Sequence, residues 1–287
     1  MLSYLIEHHS LYALFKLHWG MLLLLFSYFY HKKLIQSRLY SVTKNQKYYF
    51  FIAIFLLLIL KTTPLDLIAT HYLFSAHVLQ LSLIYFVAIP LLILSFPVNF
   101  LRKYIWNHRT KFVLKILAHP WLTLITFNGL LSIYLIPAIF NFIHMNMALS
   151  FIAQCILIIN AILMWWVIIH PVPEIKGLNY LLRAFYIFLA SLALFPIGFF
   201  YVIMQNAYLP IYIPVETALI PALTSVYDQQ LAGGILKIIQ LASYSFALLI
   251  LFFQWGNKEK KKEGLVEEKN IRYIRGVVIH LDQDNKQ

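Results

Sequence analysis

Long apolar blocks separated by short polar segments dominate this chain. Blocks of about 20 residues have the length that a helix needs to cross a bilayer core of about 30 Å. Inside lipid no water bonds to the backbone, so such blocks are predicted to be helices rather than strands. The blocks cover residues 11–30, 48–68, 72–95, 121–140, 147–169, 181–204 and 234–255. The pattern therefore predicts an all-α integral membrane protein, a seven-transmembrane helix bundle over residues 1–256 followed by a charged cytoplasmic tail over 257–287.

The composition agrees with this class of protein. Hydrophobic residues make up 61% of the 287 and charged residues 12%, whereas a soluble domain carries about a quarter charged residues. The first block has Glu7, His8 and His9 before it rather than a basic segment, and no small-residue cleavage site follows it. We therefore interpret it as a retained helix rather than a secretory signal.

The placement of basic residues predicts the orientation. They gather in the 31–47 and 96–120 links, at the fifth connection and in the tail, and only Lys16, Lys61 and Lys237 remain for the other side. The gathered residues are Lys32, Lys33, Arg38, Lys44, Lys47, Arg102, Lys103, Arg109, Lys111, Lys115, Lys176, Arg183, Lys258, Lys260, Lys261, Lys262, Lys269, Arg272, Arg275 and Lys286. Loops rich in Lys and Arg stay in the cytoplasm. The sequence thus predicts the N-terminus outside the cell and the C-terminus in the cytoplasm.

The basic residues on the cytoplasmic side of the membrane account for the net charge of +12. We therefore expect no nucleic acid as a partner. Cys155 is the single cysteine, which excludes an intramolecular disulfide and any cysteine-rich metal framework. There is no Gly-rich phosphate loop and no HExxH zinc-protease motif. We therefore expect a protein that is not an enzyme.

Ligating side chains pool toward the predicted outer side. His77 lies about 9 Å deeper than His71 at 1.5 Å per helical residue, and Gln80 follows on the same face, where it can share a polar pocket with His77. The run His144-Met145-Asn146-Met147 offers an imidazole and two thioethers. Imidazole suits copper and zinc, and thioether selects Cu(I). Asp228, Gln229 and His18 complete the outer set.

Simpler interpretations stay open for these residues. Met is common in apolar helices, and a His at a membrane interface, such as His71, is often a solvated anchor. A haem ligated by His77 and His18 is the main alternative function. A scaffold that only holds other subunits in the bilayer is another alternative, and a transporter is less favoured because no pair of spans has short, broken, symmetric halves.

Several motifs resemble the CtaG family of caa3-type cytochrome c oxidase assembly factors, the multi-span family of Gram-positive bacteria. The most specific are Phe74-Ser75-Ala76-His77-Val78-Leu79-Gln80 and Asp228-Gln229-Gln230-Leu231-Ala232-Gly233-Gly234. The other matches, in order, are Pro90, Phe96-Pro97, His119-Pro120, Phe127-Asn128-Gly129, Ser132-Ile133-Tyr134, Pro137, Trp165-Trp166, Pro171 and Pro173-Glu174. The resemblance covers roughly residues 65–256.

The resemblance implies a multi-pass protein of the plasma membrane that helps copper to reach the oxidase. Its expected partners are cytochrome c oxidase subunits, the lipid bilayer and a copper chaperone, and its expected cargo is Cu(I), bound transiently. His77, Gln80, Asn128, Asp228 and Gln229 are the matches that carry over as functional positions. Leu81 and Leu135 stand where many relatives carry histidine, so the implied metal site has fewer candidate ligands in this chain. We expect His77 as the central ligand, Met145 or Met147 beside it, and Gln80 and Asp228 as orienters of the imidazole.

Overall fold

The computed structural model describes residues 5, 7, 9–37, 39–105, 108–172, 174, 177–212, 220, 223–268, 271–274 and 277–280. Of the residues named above, His8, Arg38, Pro173, Lys176, Lys269, Arg275 and Lys286 lie outside this part of the chain. The helices are α1 Leu11–Leu14, α2 Leu17–Tyr30, α3 Lys44–Thr62, α4 Pro64–His71, α5 Phe74–Leu83, α6 Ile89–Ser95, α7 Val98–Ile105, α8 His108–Leu117, α9 Pro120–Tyr134, α10 Pro137–His144, α11 Met147–Ile169, α12 Tyr180–Ala193, α13 Phe195–Ile203 and α14 Ser225–Glu268. Segments of π-helix follow α2 at His31–Gln36 and α5 at Ile84–Ala88.

The apolar helices confirm the membrane class. By length and composition, four helices of the described chain are able to cross a bilayer, and six if each of two bent pairs is one span. The four are Phe74–Ser95, Met147–Ile169, Tyr180–Ile203 and Ser225–Lys260. The pairs are Lys44–Thr62 with Pro64–His71, bent by 57°, and Thr110–Leu117 with Pro120–Tyr134, bent by 63°. The count of seven and the orientation stay predictions.

Three predicted blocks are divided in the structure. The block 121–140 is divided because α9 ends at Tyr134 and α10 begins at Pro137, and the blocks 48–68 and 181–204 are interrupted at Thr63 and Leu194. The helix that contains the last predicted span, 234–255, extends beyond it on both sides, from Ser225 to Glu268. Asp228 therefore lies in the first turn of a helix, with Gln229 directly after it, rather than in a loop. Beyond α14 the tail forms a short antiparallel pair, Ile271–Ile274 with Val277–His280.

Prolines interrupt the helices at the predicted places. Pro90 has no N–H to bond to Phe86, four residues earlier, and a π-helical stretch precedes it. The released Phe86 carbonyl accepts a hydrogen bond from the Ser243 hydroxyl of α14. The neighbouring Tyr85 carbonyl accepts one from Trp165 Nε1 of α11, at 2.8 Å. Backbone groups freed inside an apolar bundle thus find side-chain partners on adjacent helices.

The main core lies where α5, α6, α9, α10, α11, α12, α13 and α14 meet. Its largest fully buried side chains are aromatic and include Phe74, Phe86, Phe127, Phe140 and Tyr244. A smaller cluster joins α2 to α3, where the rings of Tyr30 and Phe50 stack with centroids 3.6 Å apart. The helices around the main core bring His77, on α5, next to α9 and α10.

Candidate functional site

The centre of the site is a tyrosine hydroxyl between two imidazoles. His77 Nε2, on α5, lies 3.0 Å from the Tyr134 hydroxyl oxygen at the end of α9. The same oxygen lies 3.4 Å from His144 Nε2 at the end of α10. The two imidazole rings meet edge to face with centroids 5.4 Å apart. Two imidazole nitrogens from separate helices are therefore directed at one point.

His144 is oriented by its own helix. Its Nδ1 lies 2.8 Å from the Phe140 carbonyl oxygen, one turn earlier, and its ring stacks on the Phe140 ring at 3.9 Å. Because a carbonyl only accepts, Nδ1 carries the proton and Nε2 of the neutral ring is an acceptor. Burial lowers the pKa of His144, against the opposing effect of the Phe140 carbonyl, so the ring is neutral at pH 7. A neutral imidazole held in this way is prepared to bind a metal through Nε2.

The Tyr134 hydroxyl has one proton to donate. It therefore donates to at most one of the two nitrogens at a time, His77 Nε2 at 3.0 Å or His144 Nε2 at 3.4 Å. Metal ligation through either Nε2 requires that this nitrogen carries no proton.

The helix that carries His77 is capped by a distant carboxylate. Asp228 Oδ2 accepts from the Phe74 backbone N–H at 2.7 Å, and Oδ1 accepts from the Ser75 N–H at 3.1 Å. Leu73, in the N-cap position of α5, makes no side-chain cap bond, so α14 supplies the cap instead. The first N–H groups of a helix have no partner within the helix, and a carboxylate there also suits the helix dipole.

The next two residues of this motif also bind backbone groups. Gln229 Oε1 accepts from the Tyr208 N–H at 3.1 Å. Gln230 Nε2 donates to the Met204 carbonyl at 2.7 Å. The Asp-Gln-Gln run therefore ties the start of α14 to α5 and to the segment after α13, which contains both Met204 and Tyr208.

A second polar cluster lies beside the site, around Asp66. Its carboxylate, 3% exposed, pairs with Lys16 and with Lys61, whose Nζ is 3.1 Å from Oδ1. Gln80 Nε2 donates to the same Oδ1 at 2.7 Å and to the Leu60 carbonyl, and its Oε1 accepts from Lys61 at 3.1 Å. Lys61 ends α3 and Asp66 begins α4, so both helix dipoles favour these charges.

A sequence model of one family matches residues 26–258, more than half of the chain, and its description is cytochrome c oxidase caa3 assembly factor (Caa3_CtaG). The chain belongs to this family. No curated protein and no solved structure matches the chain. The resemblance drawn from the motifs is thereby confirmed, and this caa3 assembly factor family is a membrane family, in agreement with the apolar helices.

We call His77 and His144 the imidazole pair. Some residues of the family motifs belong to this pair, and others bind the segments that hold it in place. His77 lies in the centre of the site, and Asp228 and Gln229 hold backbone groups. The expected contact of Gln80 and Asp228 with the imidazole differs from the structure. Both ends of the Gln80 amide bind the Asp66 cluster, and the Asp228 carboxylate binds the start of α5. These residues position the His77 helix rather than the ring itself.

The remaining predicted ligands lie away from the imidazole pair. Met145, directly after His144, is 83% exposed, and Met147, the first residue of α11, is 91% exposed. His71 ends α4 and is exposed. His18, on α2, has its Nδ1 3.2 Å from the Tyr12 hydroxyl. Within the described residues, no three His, Cys, Asp or Glu side chains come together as a metal site.

Sequence reasoning did not single out Tyr134 as a site residue and passed over Asp66. Tyr134 was a member of a matched motif, but its position between two imidazoles depends on the break between α9 and α10. Asp66 left a clear signal, since an acidic residue in the predicted span 48–68 is costly unless it is paired. Lys61, five residues earlier, was its available partner.

Proposed function

We propose that this caa3 assembly factor binds Cu(I) through His77 and His144 and helps to deliver it to the oxidase. The observation that supports this most is the convergence of two imidazole Nε2 atoms on the Tyr134 hydroxyl, at 3.0 and 3.4 Å. Imidazole is a good ligand for copper. The proposed role is that of a carrier without an enzymatic step.

The donor set fits a cargo ion better than a permanent one. Two protein nitrogens leave coordination positions open, and a metal that must be passed on cannot sit in a closed, fully satisfied site. Bonds of about 2 Å from nitrogen to metal require the two nitrogens to be at most about 4 Å apart. The Tyr134 hydroxyl stands between them, so we propose that the hydroxyl moves aside when the ion enters and returns when it leaves.

Met145 and Met147 have a different proposed role from the one expected. Their exposure of 83% and 91% suits the first contact with a copper chaperone rather than a buried site. Thioethers prefer Cu(I), and His144 is the neighbour of Met145 in sequence. The ion would pass from the exposed thioethers to His144 and then to the pair with His77.

The proposed function includes the predicted topology. In addition to the six candidate spans, the apolar α2, Leu17–Tyr30, would be the seventh, with the basic π-helix His31–Gln36 at its cytoplasmic end. Arg102, Lys111 and Lys258 lie in segments predicted to be cytoplasmic, and the turn after His144 lies at the opposite ends of its helices, which supports a site at the outer face. The outer face is where an oxidase's external copper centre is filled.

The haem alternative has less support. Phe140 stacks on His144, and Tyr134 stands between His144 and His77, so a flat macrocycle would have to displace both aromatic rings. His18 bonds to Tyr12 on the N-terminal segment. A Soret band on purification or on addition of haem, lost in His77→Ala, would favour haem over copper.

The test compares copper bound by purified protein and copper delivered in cells. The wild type is expected to take up Cu(I), His77→Ala and His144→Ala to lose most of it, and His31→Ala, at an exposed histidine of the chain, to keep it. In a deletion strain, the oxidase is expected to lose copper and activity, and His77→Ala is expected not to restore them. Copper uptake that is the same in all four proteins contradicts the ligand assignment.

A further inference from the structure

A groove of about 570 Å³ runs along the outside of the bundle between α9 and the α12–α13 pair. Its floor carries Asn128, Gly129 and Ser132, and Pro196 lies on the opposite wall. At its rim Ile133 is 49% exposed, so the groove faces the space that lipid or a partner fills.

Gly129 has no packing reason within the described chain. A Cβ added at this position would meet no atom within 4 Å. A glycine inside a helix costs about 0.5–1 kcal/mol relative to alanine, and nothing in the bundle requires the missing side chain. The small residue instead leaves room for something outside the chain.

Asn128 supplies an independent observation. Its side chain is 1% exposed, and Nδ2 donates to the Leu124 carbonyl at 2.7 Å. Its Oδ1 has no hydrogen-bond partner among the residues that the structure describes. A buried amide oxygen without a donor is costly in an apolar medium. Because Oδ1 is itself shielded, a donor in the groove would remove this cost after the Asn128 side chain turns toward the groove.

The depth of Asn128 selects the kind of donor. At 1.5 Å per residue it is about 12 Å from Pro120 and about 9 Å from Tyr134 along α9, and it therefore lies well inside the apolar layer. The donors of a phospholipid are in its headgroup, and acyl chains have none. A transmembrane helix can present a polar side chain at this depth, and small residues allow two helices to approach closely.

We propose that this groove is the docking site for a transmembrane helix of the oxidase that the family assembles, with a donor side chain of that helix bonded to Asn128 Oδ1. The choice of the oxidase as partner rests on the proposed assembly function. The surface itself is separate from the imidazole pair, so copper binding and docking can be measured independently.

The test uses a photo-crosslinking residue at position 133 in cells that express the oxidase. Position 159 on α11, where Ile159 is 56% exposed, is the matched control. We expect an adduct with an oxidase subunit from position 133 at least about tenfold above that from position 159. Adducts of equal yield, adducts with lipid alone, or a product of two copies of this chain would overturn the proposal.

Two variants then separate docking from folding and from copper binding. Gly129→Leu fills the groove, and Gly234→Leu is its control, because an added Cβ at Gly234 also meets no atom within 4 Å. We expect only Gly129→Leu to lower the oxidase adduct by about tenfold, with unchanged copper uptake. Asn128→Leu keeps the side-chain size and should also lower the adduct. An adduct yield that does not fall in either variant refutes docking. A wild-type protein that takes up no copper but still forms the adduct refutes the carrier function alone.

Discussion

The adjacent glycines of α14 should respond to the same substitution in opposite ways. A Cβ at Gly233 would lie 2.6 Å from the Gly198 carbonyl oxygen and 2.8 Å from Tyr201 Cβ, both on α13. A Cβ at Gly234 would meet no atom within 4 Å. The prediction compares Gly233→Ala with Gly234→Ala, two changes of one methyl group at neighbouring positions.

The structure gives the size of the difference. Alanine in place of glycine stabilises a helix interior by about 0.5–1 kcal/mol, and this gain is available at both positions. At Gly233 the close contacts are with a backbone oxygen and a Cβ, neither of which is a flexible end of a side chain, so α13 and α14 must separate. Overpacking of this kind costs about 1–3 kcal/mol. We therefore expect Gly233→Ala to be about 2 kcal/mol less stable than Gly234→Ala.

Thermal unfolding in detergent, followed by the fluorescence of the tryptophans, measures the difference. For a protein of this size about 1 kcal/mol corresponds to a Tm change of about 2 °C. Gly234→Ala should match or slightly exceed the wild type, and Gly233→Ala should unfold several degrees lower. Equal Tm values for the two variants would refute the close approach of α13 and α14 at this point.

Three further substitutions test the groups around the imidazole pair. Asp228→Ala leaves two buried N–H donors of α5 without an acceptor and should cost about 3 kcal/mol. Asn179→Ala, the control, removes the local N-cap of α12, where Asn179 Oδ1 accepts from the Leu182 N–H, and should cost about 1 kcal/mol; equal losses of Tm would contradict the distant cap. Asp66→Ala should lower the free energy of unfolding by about 3 kcal/mol. This is the lower end for a broken buried pair, because the Lys16 side chain is 26% exposed. An unchanged Tm would show that the pair is not buried. Tyr134→Phe removes the hydroxyl that the ion must displace, so a competition titration should give Cu(I) affinity raised by several-fold; weaker binding would instead make Tyr134 a ligand.

Sequence patterns predicted the membrane class and the position of most helices. Length and hydropathy are enough for this, since any apolar block in lipid must be helical. They failed at the ends of helices. Pro137 divided a predicted span, because a proline ends the helix before it when the chain can restart at another angle. The polar run Asp228-Gln229-Gln230 was interpreted as a loop, although its side chains bond to backbone groups of other segments and the helix begins before it.

The candidate site was predictable only in part. His77 was found from depth and the family motif, and His144 from its place in the outer turn, but periodicity within one helix cannot show that the two face each other. Gln80 illustrates the limit. Its spacing from His77 suggested a shared pocket, whereas the stronger electrostatic partners, Asp66 and Lys61, lie on other helices and decide where the amide points.

The two histidines are held very differently, and this suggests which one moves. The helix of His77 is fixed at its start by Asp228 and by the Asp66 cluster through Gln80. It is fixed again at its π-helical part, where Tyr85 and Phe86 accept bonds from two other helices. His144 ends the eight-residue α10, next to an exposed turn. A ligand that must close on an incoming ion and reopen is better placed on the short helix. For the proposed copper carrier, we therefore expect entry and release of the ion to proceed by displacement of His144 and Tyr134 around a stationary His77.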